Sequence, residues 1–587
     1  MQHVSVIDDH TIEGWMLCTP ECGGWGDGGG QARYTVYFHA EFSKPFARHG
    51  FWSARIPDGW SRHNRDVASL RYQRRVSHSQ VIRGGNELEG KHIGFFAEFP
   101  TTEGEQVCMN AAISFVDLEG ARNNYRAELD GKTFDDIHSA AVAMWDDALA
   151  KVSVEGGSED DRTIFYTALY HTMIDPRLYS DVDGRYIGGD YKVHRTGELF
   201  SKRTIFSGWD VFRSQMPLCT IINPQVNADV VNSLTTLAEE SGRGYYERWE
   251  FLNAYSGCMV GNPALSVIAD AWAKGIRTFD VRKAYAISRT TSERIGNGKC
   301  GYTPSSLSST LENAYGDWCV SVLADACGDA AGKAEYLEKG QAYRNVFDAG
   351  SGWFRPRGGD GGFEPMPENG RLSEGYGCAE SNPFQQGWFV PHDFSGMVEL
   401  IGGRQKALEE LDYMFGNTPL NFQWNQFYNH ANEPVHFVPF LYNLLGEPFK
   451  TQKWTRTICR NAYFNAVEGL CGNEDCGQMS AWYVLASSGI HPVCPGSTRM
   501  EITSPMYERV EFRLDPVYHR GDTFTVIAHG NSEDNIYIQK ASLNGRPLDD
   551  CFIDYSDIAA GGTLELWMGP EPSGWGANEA CMPEKER

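Results

Sequence analysis

The feature that most constrains this chain is a double change of hydrophobic period along its 587 residues. Residues 1–130 read as strands. From Thr133 to about Ser488 the apolar positions recur at helical spacing, and after Pro495 the period of a strand returns. Strand side chains alternate between two faces, whereas helix side chains return to one face every 3.6 residues, so no single layer absorbs both patterns. The chain is therefore expected to be α+β and multidomain, long enough for two or three cores.

In the first section, Tyr34–Phe42 (YTVYFHAEF) and His92–Phe99 (HIGFFAEF) are rich in strand formers. Gly23–Gly30 (GGWGDGGG) is expected as a loop. It is no phosphate loop, because neither a helical pattern nor Lys-Ser/Thr follows it. In the middle section, Ala264–Gly275 is expected as a helix ended by its glycine. Further helices are expected over Phe134–Lys151, Asp160–Met173, Ala228–Glu240, Glu312–Ala326, Gly332–Asp348, Asp393–Ile401, Gln405–Met414 and Gln478–Ser488. About a dozen helices with short Gly/Pro-rich connections predict a toroid of paired helices with an acidic pocket at its loop end. Strands are expected again at Glu508–Leu514, Thr523–Ile527, Asn535–Lys540 and Thr563–Trp567, with a turn at Asn544-Gly545. The tail Pro583–Arg587 is expected to be loose.

Net charge is −25, and the densest basic patch, Arg71–Arg75 (RYQRR), is short, so no footprint for nucleic acid is present. No apolar run approaches the roughly 18 residues that span a bilayer. The start MQHVSVIDDH lacks the pattern of a signal peptide. The 15 cysteines are odd in number, without CxxC pairs or zinc-site spacing, which predicts a reducing, cytoplasmic setting rather than a disulfide framework. Aromatic residues make up 13%, including 16 Trp and 27 Tyr. Core packing and a sugar-stacking cleft both account for them.

Four segments crowd carboxylates, amides and aromatics together. In Phe206–Arg213 (FSGWDVFR), a helix would set Asp210 and Arg213 on one face beside Trp209, either as a surface ion pair or as a grip on sugar hydroxyls. In Glu380–Asp393 (ESNPFQQGWFVPHD), Glu380 enters an aromatic stretch whose desolvation would suit a general acid, but from the local sequence alone a helix-end charge and a buried His392 are the favoured explanation. In Tyr428–His436 (YNHANEPVH), Asn432 and Glu433 offer oxygen ligands for a hard cation, or a polar cap for a helix begun by Pro434. In Gly472–Trp482 (GNEDCGQMSAW), adjacent carboxylates at a loop-to-helix mouth could activate water or cap the helix.

These four segments resemble the signature segments of glycoside hydrolase family 92. DVDGRY (Asp181–Tyr186), EFSKPF (Glu41–Phe46), IADAWAKG (Ile268–Gly275) and MGPEPSGWG (Met568–Gly576) add to the resemblance, which spans nearly the whole chain. It implies an N-terminal antiparallel β-sandwich, here only partial, over residues 1–130. A helical linker over 131–160, an (α/α)6 catalytic toroid over 161–495 and a β-rich segment over 496–587 would follow. It implies inverting exo-hydrolysis of α-mannosides, such as N-glycan or mannan oligosaccharides, with Ca2+ coordinating the sugar's O2 and O3. By position, Glu380 matches the general acid, Asp475 the general base, and Asn473 a polar position beside it. Trp209, Asp210 and Arg213 match the terminal-mannose subsite, with Asn382, Gln385, His392, Asp393 and His430 as further substrate contacts. Asn432 and Glu433 fall in the metal segment.

The sequence departs from the family pattern in three places. The N-terminal sandwich is entered partway through. Pro263 stands where the family commonly has His. Ala431 follows His430 where relatives acting on α-1,2 linkages often carry an acid, which leaves that linkage open. Glu380 argues against phosphodiester-cleaving variants, which can dispense with a strong acid. The competing readings are another helical-toroid hydrolase or phosphorylase, for which no basic phosphate pocket is seen near Asp475, and a catalytically inactive mannoside-binding protein or fragment.

Overall fold

In the computed structural model, which describes residues 1–19, 32–56 and 70–578 and only the backbone at 70–73, the N-terminal strands form two antiparallel sheets. The expected loop at Gly23–Gly30 and the tail Pro583–Arg587 lie outside the described residues. The larger sheet runs, in spatial order, Glu87–Gly90, Gln2–Val6, Thr11–Cys18, Tyr34–Phe42 and Met109–Ser114. The smaller runs Gln80–Arg83, Arg48–Ser53 and Ile93–Glu98. Phe42 at the end of the larger sheet meets Phe46 and Phe99 at ring distances of 6.2 and 5.3 Å. Phe46 in turn meets Phe95, which meets Phe51, each at 5.9 Å. This aromatic chain, mostly edge-to-face, joins the two sheets as a sandwich.

Helix Leu118–Glu128 starts at Asp117, whose carboxylate accepts from the Gly120 amide at 2.6 Å. It is pinned to the larger sheet by Arg122, which donates to Glu13 at 2.7 and 2.6 Å, and by Tyr125, which donates to Glu41 at 2.9 Å. Asp181, in the DVDGRY motif, latches this domain to the helical one. Its buried carboxylate accepts from Ser114 Oγ at 2.7 Å and Asn124 Nδ2 at 2.9 Å. The approach is so close that a Cβ on Gly120 would sit 2.2 Å from Asp181 Oδ2.

The segment 131–160, expected as a helical linker, carries helix Phe134–Leu149, close to the expected Phe134–Lys151, and then a strand, Val152–Glu155. That strand pairs with Arg509–Arg513 and forms one edge of the C-terminal sheet. Val152 and Val154 are buried and Ser153 and Glu155 exposed, an alternation too short to stand out in the sequence.

Between Glu159 and Ser488 the described residues include fourteen α-helices: 159–171, 208–211, 215–222, 224–240, 263–273, 281–295, 307–326, 330–339, 383–386, 394–401, 404–416, 441–444, 448–461 and 478–488. Helix Gln215–Ile222 packs on Pro263–Ala273, which packs on Leu307–Ala326. The last helix, Gln478–Ser488, packs on both Glu159–His171 and Gln215–Ile222, so the run returns on itself as a toroid. Three of the longer helices were not foreseen. Gln215–Ile222 is buried at every residue, which leaves no polar stripe to read. Val281–Ile295 is rich in Ser, Thr and β-branched residues, and Pro448–Asn461 opens on a proline that serves as its first turn.

The C-terminal strands form a six-stranded sheet in the order Arg546–Leu548, Tyr537–Leu543, Gly562–Gly569, Thr523–His529, Arg509–Arg513, Val152–Glu155. The expected Asn544-Gly545 turn is present, with φ of 51° and 75°. This sheet and the helices share one hydrophobic core. None of the thirteen described cysteines forms a disulfide, and no described helix is long and apolar enough to cross a membrane.

The latch carries a prediction. Asp181→Ala leaves the Ser114 hydroxyl and an Asn124 amide proton unpaired in a buried interface, which costs about 2–3 kcal/mol. Thermal unfolding should shift down and proteolysis around residues 114–118 should accelerate. Unchanged cleavage and melting would show that the sandwich docks without it.

Candidate functional site

Phe206–Ser207 pairs with Trp249–Phe251 and runs into a single helical turn, Gly208–Val211. The turn buries Trp209 and Asp210, and Arg213 just beyond it is buried too. Of the two readings of this segment, the surface ion pair between Asp210 and Arg213 is not formed. Asp210 instead accepts a hydrogen bond from Ser207 Oγ, and Arg213 Nη2 lies 3.5 Å from Glu312 Oε1. Trp209 Nε1 donates to the same Glu312 oxygen at 2.8 Å. The guanidinium lies 5.0, 4.6 and 5.3 Å from the rings of Trp209, Phe212 and Phe389, a dry cationic site. Burial raises the Glu312 carboxyl to about 7, against the pull of Arg213.

Glu433 opens a 3-10 turn with Pro434 as its second residue and is fully buried. Asp475 ends the loop that feeds helix Gln478–Ser488. Asp210, Glu433 and Asp475 each bring a carboxylate oxygen within 4.8 Å of the other two. Neither Glu433 oxygen, nor Asp210 Oδ1, has a hydrogen-bond partner among the described residues. Burial is the main cause that pushes all three carboxyls up. The charge of Asp475 adds to the effect on Asp210 and Glu433, and that of Glu380 adds to the effect on Asp475. Three carboxylate oxygens around one point, with unsatisfied lone pairs, are a donor set that fits a hard divalent cation such as calcium. Asp210, Glu433 and Asp475 would hold it.

Glu380 stands beside this cluster. Asn432 Nδ2 donates to Glu380 Oε2 at 3.0 Å, and Asn473 Nδ2 donates to Asn432 Oδ1 at 3.0 Å. Asn432, expected as a metal ligand, therefore spends its side chain on Glu380 and Asn473. Glu380 and Asp475 both sit on left-handed backbone, with φ of 48° and 41°, and Cys476 follows at 59°. Such positions are held only where the surroundings over-determine them, and they concentrate at functional sites. Gln478 supplies much of that restraint. Its Oε1 accepts from the Ser214 and Gln215 amides at 2.8 and 3.1 Å, and its Nε2 donates to Ser214 Oγ at 3.0 Å. This ties the Asp475 loop to the segment that bears Asp210. Gly472 passes so close to Ala431 that a Cβ would lie 2.2 Å from the Ala431 carbonyl oxygen, and the Asn473 amide donates to that oxygen at 3.0 Å.

The other expected substrate contacts serve the framework. Asn382 and Gln385 form a reciprocal cap, with Gln385 Nε2 donating to the Asn425 and Phe427 carbonyls at 2.9 and 2.8 Å. His392 bonds the Gly340 carbonyl oxygen at 2.8 Å. Asp393 caps helix Phe394–Ile401 and accepts from Tyr343 at 2.6 Å. His430 is fully buried between Tyr428 and Tyr463, each at 2.8 Å from a ring nitrogen. Pro263 is the first residue of its helix, where proline's missing N–H costs nothing. Glu312 was missed as a site residue. One turn before it on the same face are Ser308 and Ser309 and one turn after it Tyr315 and Gly316, so the sequence pattern does not mark it as buried.

With that geometry in view, comparison with known proteins is direct. Residues 120–570 match the glycosyl hydrolase family 92 catalytic domain, and residues 1–114 its N-terminal domain. The family GH92 α-mannosidase BT3965 from Bacteroides thetaiotaomicron superposes with a TM-score of 0.87 at 31% identity, over 100% of this chain and 75% of that one. The family GH92 inverting mannosidase BT2199 from the same organism gives 0.86 at 27%, over 99% and 79%. An uncharacterized secreted glycosidase from Arthroderma benhamiae is 26% identical over 81% of this chain, which spans 62% of that relative's length.

The histidines around the cluster carry a second prediction. His491 donates Nδ1–H to the Pro492 carbonyl at 2.6 Å and accepts from Ser214 at 3.0 Å. Burial pushes it down to about 3, and His436 likewise. Their folded values lie below the unfolded one, so the stability they support is complete above about pH 6.5 and is lost as pH falls. The slope is about 1.4 kcal/mol per pH unit for each histidine. Urea unfolding between pH 7 and 5 should show this loss, and His491→Gln should remove one proton's worth of slope. Equal slopes in both proteins would refute the neutral assignment.

Proposed function

The chain belongs to glycosyl hydrolase family 92, and on that premise we propose that it hydrolyses terminal α-linked mannose from mannosides. The substrates would be N-glycan or mannan oligosaccharides. The reaction would proceed with inversion, with calcium held by Asp210, Glu433 and Asp475. The observation that carries the reading is the placement of Glu380 beside, but outside, the three-carboxylate cluster, bonded to Asn432, which in turn accepts from Asn473. Inverting hydrolysis needs one carboxylic acid for the leaving oxygen and a separate carboxylate for water on the opposite face of the ring. BT3965 has also been solved with mannoimidazole bound, and BT2199 is described as an inverting mannosidase.

In this reading Glu380 is the acid. Asn432 Nδ2 donates to its Oε2, which makes that oxygen the acceptor and leaves the proton on Oε1, free to pass to the glycosidic oxygen. Asp475 takes the proton of the attacking water, its position fixed by the Gln478 bonds behind the loop. Bound calcium would supply electrostatic stabilisation and orient sugar hydroxyls. Arg213, Trp209 and Glu312 are buried beneath the site and keep its floor rigid.

Proton NMR of the protein acting on α-linked mannobioses tests this. β-Mannose should appear first, and a chelator should stop its release. A folded sample that frees no mannose from any linkage would end the hydrolase reading, and first-formed α-mannose would end inversion. Glu380→Gln should slow mannobiose hydrolysis by about 10²–10⁴-fold, the usual contribution of a general acid. It should spare aryl mannosides with good leaving groups, and equal losses on both would remove the assignment. Asp475→Asn should abolish both activities.

A further inference from the structure

Two buried glutamates outside the reacting groups grip the segment that carries Asp210, one at each end. Glu250 is fully buried, and both of its oxygens accept a backbone N–H. Asn253 N donates to Oε1 at 2.6 Å and Ile205 N to Oε2 at 3.1 Å. Thr204 Oγ1 donates to the same carboxylate at 2.8 and 3.0 Å and accepts from the Leu252 amide at 2.8 Å. The three residues whose amides this network collects are all left-handed: Ile205 at φ 69°, Leu252 at 48° and Asn253 at 68°. For β-branched Ile205 this is a rare conformation, with nothing in its own side chain to favour it. Five residues later comes Asp210. At the far end, Glu312 accepts from Trp209 and faces Arg213, the residues that flank Asp210 on either side.

We propose that Glu250 and Glu312 are positioning residues that together hold Asp210 within the Asp210–Glu433–Asp475 cluster. Glu250 acts by keeping the Ile205 turn left-handed, and Glu312 by fixing the Trp209 indole and balancing the Arg213 guanidinium. A glutamine at 250 cannot substitute. Whichever way its amide is turned, an NH2 group faces a backbone N–H, and the turn is released toward extended backbone. The strand Phe206–Ser207 and the helical turn after it would then shift. Gly208 has no room to absorb the shift, since its Cβ position lies 2.4 Å from the Arg248 carbonyl oxygen. A glutamine at 312 keeps the indole bond but removes the charge opposite Arg213.

This inference rests on the hydrolase reading for its activity readouts, so the test includes one that does not. Full-length wild type, Glu250→Gln and Glu312→Gln are compared by hydrogen–deuterium exchange over residues 204–213, by calcium titration of thermal stability, and by kcat and KM on an aryl mannoside. In Glu250→Gln, exchange over 204–213 should rise while the remaining helices stay protected. The calcium midpoint should rise at least about tenfold, and kcat should fall about 100-fold, the cost of an ångström-scale misplacement, with KM less affected. Glu312→Gln should move the same readouts in the same direction. A folded Glu250→Gln protein with unchanged exchange, calcium midpoint and kcat overturns the proposal. So does one that merely melts earlier with its calcium midpoint intact. Should Glu250→Gln fail to fold, Glu312→Gln alone decides by the same criteria. If wild type neither binds calcium nor cleaves mannosides, the functional reading falls, and the exchange comparison still decides the positioning.

Discussion

The rest of the site depends on the burial of like charge. Asp210, Glu433 and Asp475 converge within 4.8 Å, and Arg213 and Glu312 lie against the same segment. At that spacing each pair of carboxylates repels by roughly 3 kcal/mol at an effective dielectric near 20, before any desolvation. One guanidinium, already shared with Glu312, cannot offset three such charges. The fold therefore has to hold the cluster by force, and each of its other features is a form of restraint.

That restraint comes from the toroid's topology. The three carboxylates enter from segments far apart in the chain, each at the mouth of a different turn or helix, and only a ring that returns on itself brings 210, 433 and 475 to one point. Gln478 then bonds the last inner helix to the first, through Ser214 and Gln215. The neutral histidines behind it are locked into single tautomers. His436 donates Nε2–H to the His430 carbonyl at 3.1 Å, which leaves Nδ1 to accept from Gln478 at 3.3 Å. These neutral groups bond one another behind the cluster, and their low-polarity surroundings leave the repulsion beside them unscreened. Left-handed backbone at Glu380, Asp475 and Ile205 is the strain this framework bears.

Much of this was legible in the sequence, and the exceptions are instructive. The double change of period gave the α+β organisation, and Gln478–Ser488 was placed to the residue because Gly477 and Gly489 bracket it. The segments that build the site were visible because loops need few carboxylates, amides and aromatics unless something uses them. Individual roles were less legible. Asp210 and Arg213 satisfy the i, i+3 rule, yet the single turn ends before it can pair them, and Arg213 finds Glu312 about a hundred residues away. Asn432 has the chemistry of a calcium ligand, but its amide is taken by Glu380 and Asn473. His392, Asp393 and His430 look functional by residue type, and each is absorbed by a local partner that no sequence spacing reveals. Glu250 and Glu312 sit within a strand and a helix, where a lone acid reads as surface.

The electrostatics also link the two halves of the proposed chemistry. A base must be ionised at the moment it receives a proton, yet burial and the neighbouring carboxylates favour the protonated form of Asp475. Asp475 can act as a base only while positive charge offsets Asp210 and Glu433 beside it, and Arg213 alone does not suffice. Glu380 lies outside the cluster, its Oε2 held by the Asn432 amide. The two carboxyl groups are thus given different surroundings, one among like charges that a cation would offset and one against an amide. That difference allows one to be an acid and the other a base in the same pocket.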